Sequence, residues 1–242
     1  MIRQGLADLA GCLSDLIFPP TCAICSALTE HPDPPVCPAC QDAFETLTGP
    51  VCERCGQPAG NPGRCAECRD RDLAPSVIRS AGPFGGVIQD AVLRLKADGK
   101  TRLAPFLAGF IAGAELDLDL ARQEILVPVP LSPRRLAQRG FNQSVLIARA
   151  LTRISGVLTN CRHLIRRRDT PSQFKMPDRR AREQNVNGAF WVRPGHPFEG
   201  CRICLVDDVV TTGSTLGACA DALLQAGARS VVAVTVARTM HW

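Results

Sequence analysis

Two sets of residues in this chain have types and spacings that could do chemistry. The first is eight cysteines in four C-x2-C pairs, Cys22/Cys25, Cys37/Cys40, Cys52/Cys55 and Cys65/Cys68, with 11, 11 and 9 residues between successive pairs. A C-x2-C turn aims two thiolates at one point, and two such turns close a tetrahedral four-thiolate Zn2+ site with no open position. Four turns supply two sites, so about two structural Zn2+ per chain are expected. Spacing leaves the pairing open: sequential pairing gives tandem ribbons and is the simpler arrangement, while an interleaved cross-brace is the alternative. Four-cysteine sets also hold iron–sulfur clusters, the competing metal chemistry.

The second set is Leu205–Leu216, LVDDVVTTGSTL. An apolar run ends in two adjacent carboxylates, Asp207 and Asp208, passes Val209 and Val210, and reaches Thr211, Thr212, Gly213, Ser214 and Thr215 at the start of an expected helix. Hydroxyls and exposed amides gathered at a helix N-terminus form a ready anion site, and Gly213 lets the backbone come close. Carboxylates beside such a cradle suit a ligand that carries both a phosphate and vicinal hydroxyls, because the diol donates hydrogen bonds and the phosphate needs donors.

The elements that must position these groups follow from periodicity. Glu124–Leu131, Arg202–Val210 and Ser230–Ala237 read as apolar strands. Ile88–Lys96, Leu103–Ala114, Gln143–Ile154 and Thr215–Gln225 read as helices, with Gly227 just past the last. Continuous apolar strands separated by helices predict an α/β fold, a doubly wound parallel sheet. The cysteine-rich segment is different. Its prolines and glycines leave little aliphatic content, so metal must supply the folding free energy that a core would otherwise provide.

Composition draws the boundary between the two parts. Residues 1–75 carry five Arg, no Lys and ten acidic residues, a net charge of −5, and hold nine of the thirteen cysteines; residues 76–242 carry +10. We therefore expect a module at 1–75, an N-terminal helix and double zinc ribbon, ahead of a larger domain at 76–242. Each four-thiolate Zn2+ site adds a formal −2, which makes the module a poor clamp for phosphates. Docking against the basic second part, or against a partner protein, is the more economical expectation. Asp8 and Asp15 interrupt any signal-peptide core, and no apolar run is long enough to span a bilayer, so a cytoplasmic protein without membrane insertion is expected. In a reducing compartment, dense cysteine points to metal rather than disulfides.

The run at 205–216 resembles the 5-phosphoribosyl 1-pyrophosphate (PRPP) motif of type I phosphoribosyltransferases. Two more stretches extend the resemblance: PVPLSPRRLAQRGFNQS (Pro128–Ser144), and the tract Arg166–Phe190 with RRRDTPSQ and DRRAREQNVNGAF. With FGGVIQDAVLRLKADGK (Phe84–Lys100) and the four cysteine pairs, the whole chain resembles the ComF family of competence-associated phosphoribosyltransferase-like proteins, which includes the GntX branch. The resemblance implies a sheet of type I phosphoribosyltransferase type. It implies that Asp207 and Asp208 hold the ribose hydroxyls and that Val209 to Thr215 form the PRPP loop around the 5-phosphate. Arg139, Asn142 and Gln143 would stand on the pyrophosphate side, and Arg167, Thr170, Gln173, Arg180 and Asn185 would lie on a segment that closes over the site. Mg2+ would accompany PRPP.

Two function classes follow. One is a Mg2+-dependent transferase that passes phosphoribose to a nitrogen acceptor. The other is a non-catalytic PRPP binder that handles single-stranded DNA through the basic tract Arg162–Arg182 and works with DNA-uptake proteins; a merely solvated charged loop is the plain alternative for that tract. Aromatic residues are 5% of the chain and Tyr is absent, so DNA binding would be electrostatic rather than by extended base stacking. The chain ends a few residues past the last expected strand, which would place acceptor recognition in Phe84–Leu120, in the zinc segment or on another chain. His31, His163, His196 and His241 have no paired spacing, and Cys12, Cys161, Cys201, Cys204 and Cys219 read as small buried hydrophobes.

Overall fold

The computed structural model describes residues 19–61, 63–69, 74–168 and 188–240. Five strands form one parallel sheet: β1 (Ile78–Pro83), β2 (Ile125–Pro128), β3 (Leu158–Thr159), β6 (Arg202–Val210) and β7 (Ser230–Arg238), in the order β1-β7-β6-β2-β3. A separate antiparallel pair, β4 (Leu164–Arg166) and β5 (Phe190–Val192), makes a small two-stranded sheet. The central strand β6 carries the continuous apolar run expected of a strand buried on both faces.

Helices cover both faces, as the sequence predicts for a doubly wound sheet. On one side α1 (Gly86–Ala97), α2 (Leu103–Gly113) and α4 (Gln143–Ser155) bury Ile88, Leu95, Leu107, Ile147 and Leu151. On the other, α5 (Ser214–Gln225) buries Leu216, Cys219 and Leu223, and β5 packs against it. Local caps fix the lengths. Asn142 accepts from the Ser144 amide at the start of α4, and left-handed Gly156 ends it. A short helix, α3 (Pro133–Arg139), begins with proline, is capped by Ser132 and ends at left-handed Gly140.

The chain leaves β2 for a helix on one face and β6 for a helix on the other. The strand order therefore reverses between β2 and β6, and the crevice beyond their carboxyl ends is where such sheets bind ligands. Among the described residues, no helix is long and apolar enough to cross a membrane.

The cysteine-rich segment folds as two copies of one small unit. Cys22 and Cys52 amides donate to Ala27 and Gln57 carbonyls at 2.8 and 2.7 Å, and Ser26 and Gly56 amides return to Cys22 and Cys52 carbonyls at 2.9 Å. Both units lie against the larger sheet. Phe44 packs edge-on to Phe106 and Phe110 of α2, with ring centroids 5.0 and 5.1 Å away. Leu47 donates to the Ala81 carbonyl and Ile78 to the Arg54 carbonyl, at 2.9 and 2.7 Å, so the segment lies along the outer edge of β1. The expected docking against the basic second part is what the structure contains, and it shields an edge strand that would otherwise offer unpaired backbone groups.

Candidate functional site: two four-cysteine centres and a crevice beside Asp207 and Asp208

The sulfurs fall into two sets, Cys22/Cys25/Cys37/Cys40 and Cys52/Cys55/Cys65/Cys68, and within each set all lie within 4.8 Å of one another. This is the sequential grouping. A zinc ion 2.3 Å from each of four sulfurs would hold them about 3.8 Å apart. The Cys25–Cys37 and Cys55–Cys65 sulfurs stand at 3.7 Å. Backbone amides support the thiolates: Cys37 donates to Cys22 Sγ at 3.4 Å and Cys65 to Cys52 Sγ at 3.3 Å. Burial opposes ionisation of Cys22 and Cys52, but these and neighbouring amides outweigh it and bring both thiols down to about 6.

Both sets fit structural Zn2+, and they have no side open for a substrate. Elemental analysis of protein purified without added metal is expected to return two zinc ions per chain. One or fewer would mean an incomplete set, and iron would overturn the assignment.

Two buried arginines face the second centre. Arg238, 3% exposed at the end of β7, donates to the Gln57 side chain at 2.9 Å and to the Cys55 carbonyl. Arg79 on β1 donates to the Cys52 and Glu53 carbonyls at 3.4 and 3.1 Å. A zinc tetrathiolate is a formal dianion, and these guanidinium groups set buried positive charge against the ribbon that holds it. Burial pushes the Arg238 pKa down, while the four surrounding cysteines pull it back up.

The second candidate region lies at the β2/β6 crevice. Asp207 Oδ1 accepts from Ser144 Oγ on α4 at 2.8 Å and from the Asp208 amide at 2.9 Å. Asp208, 4% exposed, accepts from the Val209 amide at 2.8 Å, and its Oδ2 stands 2.5 Å from Lys96 Nζ at the end of α1. That second oxygen has no aligned hydrogen-bond donor, so the Lys96 contact is Coulombic. Burial first, then the neighbouring Asp208 charge, push the Asp207 carboxyl up to about 7, against the opposing pull of Lys96 and Ser144. Asn142 reaches back to the Val129 carbonyl at 2.9 Å, and Arg139 donates to the buried Gln143 side chain at 2.5 Å.

Gly213 caps α5 in the left-handed conformation, φ 76°, and Thr212 and Ser214 hydroxyls meet at 2.7 Å. Lys96 and Arg139 also line, with Asp98, Arg135, Gln138 and Phe141, an open cleft of about 480 Å³ whose lining includes neither Asp207 nor Asp208 and none of Thr211 to Thr215.

The structure thus gathers Asp207, Asp208, Ser144 and Lys96 by direct contact, with Asn142, Gln143 and Arg139 on the neighbouring start of α4. Thr211 to Thr215 follow from the same strand end. Lys96 is the residue that sequence reasoning missed as a member of this group. The available signal was rarity, since the chain has three Lys beside 25 Arg. Arg167 lies at the foot of the β4–β5 pair with its guanidinium 3.7 Å from the Trp191 ring centroid. Thr170, Gln173, Arg180 and Asn185, like Cys12 and His241, lie outside the described residues. Cys204 and Cys219 are buried as expected, whereas Cys161 is exposed and Cys201 half-buried.

A parallel doubly wound sheet with paired carboxylates at its switch point, joined to two tetrathiolate ribbons, defines the class of protein. A double zinc ribbon family model matches residues 13–69. The DNA utilization protein YhgH of Salmonella typhi is 32% identical over 191 residues, covering 77% of this chain and 83% of its own. The competence protein ComFC of Bacillus subtilis is 30% identical over 192 residues, covering 76% of each chain. The chain belongs to the ComF family. Among solved structures, an allosteric regulatory enzyme of purine biosynthesis superposes on 55% of this chain and 25% of its own, at TM-score 0.37 and 24% identity. A purine phosphoribosyltransferase from Pyrococcus horikoshii superposes on 57% of this chain and 82% of its own, at TM-score 0.33 and 15% identity.

Proposed function

We propose that the crevice beyond β2 and β6 binds PRPP together with Mg2+, and that the chain transfers phosphoribose to a nitrogen acceptor. The observation that carries this reading is the strand end itself: two carboxylates, then a left-handed glycine and hydroxyls opening α5, at the switch point of a parallel sheet. Asp207 and Asp208 would accept hydrogen bonds from the ribose diol. Amides and hydroxyls of Thr211, Thr212, Gly213, Ser214 and Thr215 would surround the 5-phosphate, with Val209 and Val210 anchoring the loop to the sheet. Arg139, Asn142 and Gln143 would face the pyrophosphate.

Adjacent carboxylates are hard oxygen donors of the kind that suit Mg2+, and the second Asp208 oxygen has only Lys96 against it. Mg2+, when bound, would supply charge neutralisation across the pyrophosphate and ribose. In the transfer, the bond from ribose C1 to the pyrophosphate oxygen breaks, the C1–N bond forms, and the acceptor nitrogen gives its proton to solvent. The carboxylates would stabilise the positive charge that develops on the ribose, so positioning and electrostatics supply the rate.

Pyrophosphate release from PRPP and Mg2+, measured across bases, amines and single-stranded oligonucleotides, tests the reading. Turnover with one acceptor class supports it, and binding without any turnover would leave PRPP as a ligand only. Gly213→Val is expected to abolish PRPP binding, because a β-branched side chain is strained at φ 76° and its Cβ would meet Ile78 Cδ1 at 3.3 Å.

The relatives' names, a DNA utilization protein and a competence protein, favour a second role in DNA use; on our reading it would fall to the basic tract Arg162–Arg182 acting on single-stranded DNA. Most of that tract lies outside the described residues. Single-strand affinity is expected to fall steeply with salt, and neutralising Arg179 and Arg180 together should flatten the slope by about two phosphate contacts. An unchanged slope in a folded double variant would retire this role.

A further inference from the structure

The two zinc ribbons repeat one geometry but stand in different places, and the difference falls on one residue. At the equivalent turn position, the first ribbon has Ser26 at φ 63° and the second has Gly56 at φ 73°. The first ribbon shows that this backbone conformation tolerates a side chain. In the second ribbon, a Cβ on Gly56 would lie 2.6 Å from the Ile78 carbonyl oxygen. Gly56 is therefore required by close approach to β1 and not by its backbone angle alone.

Ile78 is held by this knuckle from two sides. Its amide donates to the Arg54 carbonyl at 2.7 Å, and its own carbonyl is pressed against Gly56. Its side chain, 1% exposed, shares a core with Cys52, Cys68, Val210 and Leu216. Its Cδ1 stands 3.3 Å from where a Gly213 Cβ would be, directly against the left-handed cap of α5. A second connection reaches the other end of the same loop. Arg238, bound to Gln57 and the Cys55 carbonyl, is the β7 residue in register with Val210, and the Thr239 amide donates to the Val210 carbonyl at 3.0 Å. Among the described residues, the first ribbon docks elsewhere, through Phe44 onto α2 and through Leu47 onto the Ala81 carbonyl of β1.

We infer that the second zinc ribbon positions the loop Val210–Ser214, with Ile78 and Arg238 as positioning residues, so that order in this loop depends on how that ribbon is seated on β1 and β7 and not on the first ribbon. The link to ligand affinity rests on the PRPP reading above; the link to loop order does not. A tightly packed interior passes displacement on rather than absorbing it.

The test uses the full chain and two variants that keep all eight cysteines. Ile78→Val removes the Cδ1 atom beside Gly213 and little else, and Gly56→Ala pushes the knuckle off β1. Each is measured for zinc content, for hydrogen exchange at amides 211–216, and for titration with PRPP and Mg2+. Both are expected to retain two zincs while exchange in the loop speeds up, about threefold for Ile78→Val and about tenfold or more for Gly56→Ala. PRPP affinity should fall in the same order. Phe44→Leu beside the first ribbon should move neither readout. Unchanged exchange at 211–216 in both variants would overturn the inference, and if Gly56→Ala does not fold, Ile78→Val decides alone. Faster exchange in a protein that never binds PRPP would uphold the positioning role and remove the ligand reading. Normal PRPP binding with unaltered exchange would do the reverse.

Discussion

Replacing Asp207 and Asp208 together by Asn will leave the chain folded and lower any transfer rate by a factor on the order of 10² or more. Asn keeps the shape of both side chains and an acceptor for the Ser144 hydroxyl and the two backbone amides they now satisfy. What it removes is the negative charge, which would be felt most where positive charge develops on the ribose. The Lys96 ammonium would lose its counter-ion.

Stability should move in the opposite direction. The Asp207 pKa is raised in the folded chain to about 7 from an ordinary 3.8, so between those values the native state holds a proton that the unfolded state has lost. Wild-type stability contributed by this group is then full at low pH and falls as pH rises from about 4 through 7. The single Asp207→Asn variant, which keeps the Asp208–Lys96 pair, lacks that slope and should be the more stable protein at pH 8. Solvent still reaches part of the Asp207 side chain, which screens the gain to the order of 1–2 kcal/mol. Ligand affinity that depends on the ionised carboxylate should climb in wild type as pH rises through about 7. Thermal unfolding and PRPP titration across pH 5–9 check both trends. An Asp207→Asn variant less stable than wild type at pH 8 would contradict the raised Asp207 pKa.

The second large effect is at the metal. Cys52→Ser is expected to lose one zinc and with it the folded second ribbon, because structural zinc contributes on the order of 10 kcal/mol or more to small ribbons that have little core of their own. The damage should spread into the sheet. Arg238 and Arg79 are buried against that ribbon, and without it Arg238 loses Gln57 and the Cys55 carbonyl, Arg79 loses the Cys52 and Glu53 carbonyls, and the Ile78 amide on the outer edge of β1 loses the Arg54 carbonyl. Zinc content, melting temperature and protease sensitivity together measure this. Two zincs and an unaltered melting temperature in Cys52→Ser would show that the second centre is not what holds the segment.

How much of this was legible in the residues depends on where each element's partners come from. β6 was readable at its observed bounds, Arg202–Val210, because both faces of a central parallel strand are buried and the pattern is local. The cysteine grouping was readable as the simpler of two pairings. β1 was not: Ile78–Pro83 contains Arg79, Ser80, Gly82 and Pro83, which break any apolar run. Its arginine is buried because the zinc segment offers carbonyls to it, a fact of tertiary contact that no local pattern carries. β4 and β5 were missed for a related reason. Each is three residues long, and they pair across 23 intervening residues.

The acidic pair and the TTGST run stood out because they are contiguous. Lys96 did not, since it arrives from a different helix and reads as an ordinary position near the end of α1. A site assembled from several strand ends shows in sequence only the part that lies on one of them.

Calorimetric titration of the wild-type chain, zinc-loaded, with PRPP in the presence of Mg2+ tests the central claim most directly. One PRPP per chain is expected, with binding lost in Gly213→Val and weakened in the double Asn variant. An absence of binding to wild type at millimolar PRPP would contradict the account, and with it both the transferase and the PRPP-sensing roles of the crevice.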